Sequence, residues 1–305
     1  MSALLKAEQL TKAFGSTQAV ADISFDIAPG RCTALLGPNG AGKTTTIRML
    51  AGLLQPTGGK LSYAGLKPGQ SPNSLLGYLP QSPSFYGWMT GREYAVYAGR
   101  LCGLSAAEAK SQADSLLERV GLSAAAKRPI SGYSGGMKQR LGLAQALVHR
   151  PRLLILDEPV SALDPLGRHE VLMLLRELKQ ETTVLFSTHV LHDAEQLCDD
   201  VIIIRNGEMA LQGSLEEIRN NHRMSVITLH TEGDIRSMQW CMAYQSGAYV
   251  KELRRIEKGM ELVVTDMELA RGELLRQLAK DEIRVTKLEF GHSTLEELFM
   301  KVVSE

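Results

Sequence analysis

At 305 residues the chain is long enough for one large domain or two smaller ones, and 44% hydrophobic with 22% charged residues suits an ordinary folded core. Lys plus Arg and Asp plus Glu balance at 34 each, which excludes a net field that would draw the whole chain to nucleic acid or anionic lipid. Cys32, Cys102, Cys198 and Cys241 form no CxxC pair, against a zinc cluster or a disulfide framework and in keeping with a reducing cytosol.

The opening stretch meets Lys6 and Glu8 too soon to hold the apolar core of a signal peptide. Residues 24–27 alternate, and a Pro29-Gly30 turn leads into a short buried-strand pattern at 32–36. A Gly-rich turn follows, then a helical pattern over 43–50 and a short apolar strand at 76–79. From Thr90 to about Val120 the pattern is helical throughout, with Gly121 placed as its stop. Residues 153–156, 184–187 and 201–204 read as buried strands, with helical stretches at 137–149, 166–180 and 191–198. This alternation predicts an α/β core with a largely parallel sheet. Asn206-Gly207 predicts a tight hairpin that closes it. No apolar run nears the ~20 residues of a membrane-spanning helix, so work at a membrane requires another chain to span it.

After Gly213 the texture changes. Strand patterns at 225–230, 249–256, 261–265 and 284–290 enclose helical ones at 235–244 and 268–279. That β-α-β-β-α-β order is the order of a ferredoxin-like split unit. Ser293-Thr294-Leu295-Glu296 matches a capping box for a last helix, with Leu295, Leu298, Phe299 and Val302 as its apolar face. The predicted domains are 1–219 and 220–305.

Gly37-Pro38-Asn39-Gly40-Ala41-Gly42-Lys43-Thr44 fits GxxxxGK[ST], placed between a strand and a helix as a phosphate-binding loop requires. Its glycines let backbone N–H groups and the helix N-terminus close on phosphates. Lys43 is then the group for the β- and γ-phosphates and Thr44 a ligand for Mg²⁺, with Thr45 beside it. The strand 153–156 ends in Asp157-Glu158-Pro159, which puts two carboxylates at the sheet edge where α/β folds bind ligands. Asp157 suits a place behind Mg²⁺ and Glu158 the polarising of a water. His189 and His192, three apart, lack a third ligand nearby, against a metal site.

Tyr133-Ser134-Gly135-Gly136-Met137, followed by Lys138-Gln139-Arg140, resembles the signature of the ABC ATPase family. Around it, in the family's order, stand the phosphate loop, Gln81 in Leu-Pro-Gln, Asp157-Glu158, Ser161-Ala162-Leu163-Asp164 as the D-loop and His189 as the switch histidine. Phe14 stands where the family places an aromatic under adenine. The resemblance covers residues 3–214. It departs from the usual pattern at Tyr133, where Leu is common, and at Met137, Ala162 and Phe14.

The resemblance implies a P-loop NTPase of ABC ATPase type, a mixed sheet core with a helical subdomain, carrying a smaller α+β domain. It implies ATP and Mg²⁺ as cofactors, with Thr44, Gln81 and Asp157 at the metal and Glu158, His189, Gln81 and Lys43 in hydrolysis. Two such domains sandwich ATP head to tail, so Ser134, Gly135, Gly136 and Asp164 serve the partner's nucleotide. The partners implied are an integral-membrane permease and a second nucleotide-binding domain, with no nucleic acid. The place implied is the cytoplasmic face of the membrane. The aromatic stretch 84–88 falls where the family accepts the permease's coupling helix. The ending from Thr294 to Phe299 and the signature are similar to those of ATPases that serve ABC-2-type exporters. The competing class is a soluble ABC ATPase of DNA repair or translation. The short spacing between phosphate loop and signature, without heptads, and the single such domain weigh against it.

Overall fold

The computed structural model describes residues 3–67, 71–161, 163–222, 224–245, 247–292 and 295–304. They fall into two compact units that divide between Leu215 and Glu216.

In the first unit the elements run β1 (Leu5–Phe14), β2 (Thr17–Ile27), β3 (Cys32–Leu36), α1 (Lys43–Leu50), β4 (Gly58–Tyr63), β5 (Leu76–Leu79), α2 (Gly91–Leu101), α3 (Ala106–Arg119) and α4 (Gly135–Leu147). Then come β6 (Leu153–Leu156), α5 (Pro165–Leu178), β7 (Thr183–Thr188), α6 (Leu191–Leu197), β8 (Asp200–Arg205) and β9 (Glu208–Ser214). The second unit holds α7 (Leu215–His222, its first residue still in unit one), β10 (Ser225–Thr231), α8 (Ile235–Ala243), β11 (Val250–Ile256), β12 (Gly259–Val264), α9 (Met267–Lys280), β13 (Val285–His292) and α10 (Leu295–Ser304).

The main sheet has the order β5-β6-β7-β3-β8-β9, parallel except where β9 returns antiparallel on β8. Every residue of β3, β6 and β7 is buried, as strands covered on both faces must be, which is why they read as unbroken apolar runs. A second, antiparallel sheet of order β2-β1-β4 lies over α1. Leu5, Leu10, Ile23 and Ile27 of this sheet share one core with Ile47 and Leu50 of α1 and with Leu35, Ile155, Leu185 and Ile204 of the main sheet. The phosphate-loop helix is therefore held between two sheets.

The single helix expected over 90–120 is two. Gly103 takes φ +88°, which stops α2, and Ser105 starts α3 with a capping box to Glu108. Together with α4 these helices form a helical layer. At the hairpin, Asn206 (φ 50°) and Gly207 (φ 82°) both lie in the left-handed region, as a two-residue turn between β8 and β9 requires.

The second unit is a four-stranded antiparallel sheet, β11-β12-β10-β13, the strand order of the ferredoxin-like split unit. Its core joins Ile227, Leu229, Met260 and Leu262 to Ala270, Leu274 and Leu278 of α9. Ser293 and Thr294 of the expected capping box lie outside the described residues, as does the side chain of Val302. Leu295 and Phe299 of α10 are buried.

Candidate functional site

The loop between β3 and α1 takes its shape from space as much as from conformation. A Cβ on Gly42 (φ +104°) would sit 2.6 Å from the carbonyl oxygen of Ala19, so no other residue fits without displacing β2. The loop is also held from outside. Gly207, at the tip of the β8–β9 hairpin, donates its N–H to the Ala41 carbonyl at 3.0 Å, and its own carbonyl accepts from Ala21 N at 2.8 Å. Sequence reasoning assigned that hairpin to closing the sheet and missed its part in the loop. Its signal was the short stretch between the last buried strand and an Asn-Gly pair.

Lys43, the first residue of α1, is 5% exposed and bends back over the loop. Its Nζ donates to the carbonyls of Gly37 (2.8 Å) and Pro38 (3.0 Å) and lies 3.7 Å from Glu158 Oε1. Burial lowers the ammonium's pKa, opposed by the charges of Glu158 and Asp157. Thr44 Oγ1 donates to Asp157 Oδ1 at 3.2 Å, while Thr45, next in the helix, is half-buried. Asp157 at the end of β6 is buried, and the same Oδ1 accepts a second hydrogen bond from Ser187 Oγ at 2.8 Å. Ser187 Oγ in turn accepts from Glu158 N at 2.9 Å.

Glu158 collects the remaining groups. Its backbone turns to φ 45°, a conformation costly for a side chain with a Cβ and sustained here by its surroundings. Gln81 Nε2 donates to Oε2 at 3.1 Å, and His189 Nδ1 is 3.3 Å from Oε1. Residues from β5's exit, α1, β6's exit and β7's exit thus meet on one carboxylate.

Ser134, Gly135, Gly136 and Asp164 form a separate group. Ser134 caps α4, its Oγ accepting from Met137 N at 3.2 Å, and Asp164 caps α5 by accepting from Gly167 N at 3.2 Å. Both helix starts open on one groove of about 450 Å³, lined by Ser134, Gly135, Gly136, Leu163, Asp164 and Gly167 among others. No hydrogen bond or ion pair found among the described residues joins this groove to Glu158. Phe14 stands apart as well, at the end of β1, half exposed with Lys12 Nζ 5.2 Å from its ring centre.

A further pair was not anticipated. Asp193 of α6 is buried, and Arg168 of α5 donates to both its oxygens from Nη2 at 2.7 Å. Thr188 Oγ1 donates to Asp193 Oδ2 (3.3 Å) and accepts from Val190 N (3.0 Å), which holds the residues on either side of His189. Arg168 lies one turn into the helix that Asp164 caps.

A family model described as ABC transporter matches residues 20–161. Over 300 residues the chain is 47% identical to the ABC transporter ATP-binding protein YxlF of Bacillus subtilis, which covers 98% of this chain and 99% of that one. The chain belongs to the ABC transporter ATP-binding proteins. Other members match along the full length: the bacitracin transport ATP-binding protein BcrA of Bacillus licheniformis at 34% identity (99% and 98% covered) and the linearmycin resistance ATP-binding protein LnrL of Bacillus subtilis at 33% (98% of each). A solved ATP-binding subunit of an ABC transporter superposes with a TM-score of 0.65 at 34% identity, covering 72% of this chain and 92% of that one. The cbiO1 structure of Clostridium perfringens, part of the transporter complex cbiONQ, gives the same score and coverage at 29% identity. Residues 213–303 match the C-terminal domain of DrrA1-3-like ATP-binding proteins. As an ABC transporter ATP-binding protein the chain binds ATP and is an ATPase. Full-length likeness to transporter subunits gives no support to a role in DNA repair or translation. Among the described residues, no helix is long and apolar enough to cross a membrane.

Proposed function

We propose that the chain drives substrate export by hydrolysing ATP between two nucleotide-binding domains docked on a separate membrane permease, with Glu158 orienting the attacking water. The convergence of Lys43, Gln81 and His189 on Glu158 carries this reading. Phosphoryl transfer needs a positioned water and stabilised charge more than covalent chemistry, and a carboxylate fixed by three neighbours meets the first need. Lys43 binds the β- and γ-phosphates, exchanging loop carbonyls for phosphate oxygens, and His189 reaches the γ-phosphate. The loop residues Gly37 to Gly42, with Thr44 and Thr45, wrap the phosphates, and the exposed ring of Phe14 stacks on adenine.

The oxygens of Thr44 and Asp157 and the amide of Gln81 suit a hard cation. Among the described residues, no group of three or more His, Cys, Asp or Glu could hold a metal by itself. That fits Mg²⁺ held by few side chains together with phosphates. When bound, it neutralises charge on the phosphate oxygens. Ser134, Gly135 and Gly136 point helix-start N–H groups into an open groove beside Asp164, a site for the partner domain's γ-phosphate. The permease meets the exposed Tyr86 and Trp88 and the flank of α2 at Tyr97. In this reading the chain works peripherally on the cytoplasmic face of the membrane. Residues up to about 219 make the motor, and 220–305 an accessory domain. The transport and resistance names of BcrA and LnrL support export as the direction.

The test is Glu158→Gln. It should bind ATP, lose hydrolysis by about 10²- to 10⁴-fold and elute as a dimer with ATP bound. A variant that remains monomeric on a sizing column at saturating ATP contradicts the reading.

A further inference from the structure

The first residue of the signature is a tyrosine in this chain, and its hydroxyl bridges two segments. Tyr133 is 5% exposed and its Oη donates to the Ala125 carbonyl at 2.7 Å. On the other side the ring end lies against Gly91, the first residue of α2. A Cβ at 91 would run into the hydroxyl oxygen, and the ring's Cζ would be 3.1 Å away. Burial raises the phenol's pKa, with Arg128 and a hydrogen bond from the Gly91 backbone acting against it, so the group is a neutral donor at physiological pH. Gly91 and Tyr133 are a matched pair: the missing side chain of one makes room for the hydroxyl of the other.

The same two segments are joined along their length. Ile130 N donates to Met89 O at 2.9 Å, Ser131 N to Gly87 O at 3.0 Å and Arg92 N to Ala126 O at 2.9 Å, and Thr90 bridges to Pro129. Segment 86–92 carries the surface aromatics. Trp88 is 77% exposed and Tyr86 52%, and their rings lie 6.1 Å apart. Segment 125–133 leads directly into Ser134, the cap of α4. Tyr133, one residue before the cap, reaches back so that its hydroxyl lies at Gly91 and Ala125, beside the Arg92–Ala126 pair at the far end of the zipper.

We infer that Tyr133 is a positioning residue whose hydroxyl ties the Tyr86–Trp88 surface to the start of α4, so that a displacement of either reaches the other. This rests on the reading above, in which that surface receives the permease and Ser134 faces a nucleotide. A Leu at this position fills space but makes neither polar contact, so the tie belongs to chains that pair Tyr133 with a glycine at 91.

Trp88 supplies the readout, because the chain has two tryptophans and the other, Trp240, lies in the second unit. In the full chain carrying Trp240→Phe, Trp88 emission is followed on addition of ATP and Mg²⁺, and ATP affinity is measured separately by displacement of a fluorescent nucleotide. The expected result is an ATP-dependent change in emission that falls by about half or more in Tyr133→Phe, with affinity and KM for ATP held within about twofold while kcat drops. Gly91→Ala should lower the melting temperature, and Gly91→Ala with Tyr133→Leu should regain it without regaining the Trp88 response. A Tyr133→Phe chain with the full response overturns the inference. So does a parent chain that binds and hydrolyses ATP while Trp88 stays silent, or a double variant that recovers both properties. Failure of the parent to bind ATP would instead count against the functional reading of the site.

Discussion

Removing the charge of Asp193 tests how far His189 depends on the residues behind it. Asp193→Asn keeps volume and one acceptor oxygen but replaces hydrogen bonds between charged groups by weaker ones. Hydrogen bonds to charged groups contribute about 1.5–3 kcal/mol each against about 0.5–1.5 for neutral ones. Arg168 makes three contacts to the two oxygens and Thr188 one, so the substitution weakens all four and leaves at least one Arg168 contact facing an amide NH₂. Orphaning a fully buried partner costs about 3–5 kcal/mol, but the Arg168 side chain is 32% exposed and regains water, which brings the expected loss to about 2 kcal/mol. In a domain of this size that lowers the melting temperature by about 4–8 °C, read by calorimetry on the full chain. Arg168→Gln should cost a similar amount, and the double variant should lose less than the sum by about 1 kcal/mol. Hydrolysis should fall by about 3- to 10-fold with ATP binding intact, because Thr188 and Val190 hold the backbone on both sides of His189. Unchanged melting together with additive single effects would falsify the view that this pair braces the backbone around His189.

Two other perturbations address the loop and its surroundings. Gly42→Ala forces a Cβ to φ +104° and to 2.6 Å from Ala19 O, so ATP affinity should fall by about tenfold or more in a nucleotide titration; parental affinity would show that the loop tolerates the shift. His149 lies below its ordinary pKa of 6.5 because it is buried, with Nε2 3.0 Å from the Leu76 carbonyl and Nδ1 buried without a partner among the described residues. The unfolded chain therefore takes up the proton more readily. The stability from neutral His149 is present above about pH 6.5 and lost as pH falls through the lower folded value. His149→Gln keeps a donor for Leu76 O and should flatten the acid limb of a urea-unfolding series, whereas an unaltered limb would place the titration elsewhere.

Much of the motor unit was legible because its central strands are covered on both faces. β3 and β6 begin and end where their apolar runs do, as does the edge strand β5, and α1 starts at Lys43 as its loop demands. The peripheral sheet was harder. Only the end of β2 was read, since β1 pairs with its neighbours through several register shifts that break the alternation. The split of 90–120 into α2 and α3 was written in Gly103 and in the Ser105–Glu108 capping box, yet continuous Ala and Leu on both sides hid it. At the site, motifs named candidate residues, but nothing in their spacing gave Glu158 its three neighbours, which arrive from α1 and from the exits of β5 and β7. The Arg168–Asp193 pair, 25 positions apart, could be found only once α5 and α6 were packed side by side.

The place of β3 in its sheet also bears on how the chain is made. Its neighbours are β7 and β8, which begin about 150 and about 170 positions later, so the strand that leads into the glycine-rich loop has no pairing partner until residue 183 has emerged and is flanked on both sides only after 205. The brace from Gly207 comes later still. Contacts of such long sequence separation form slowly, and domains that need them exist for a time as partly ordered nascent chains. A nascent chain that ends before β7 therefore lacks both flanks of β3 and the brace on the loop behind it, so the pair of sheets around α1 is completed only late in synthesis.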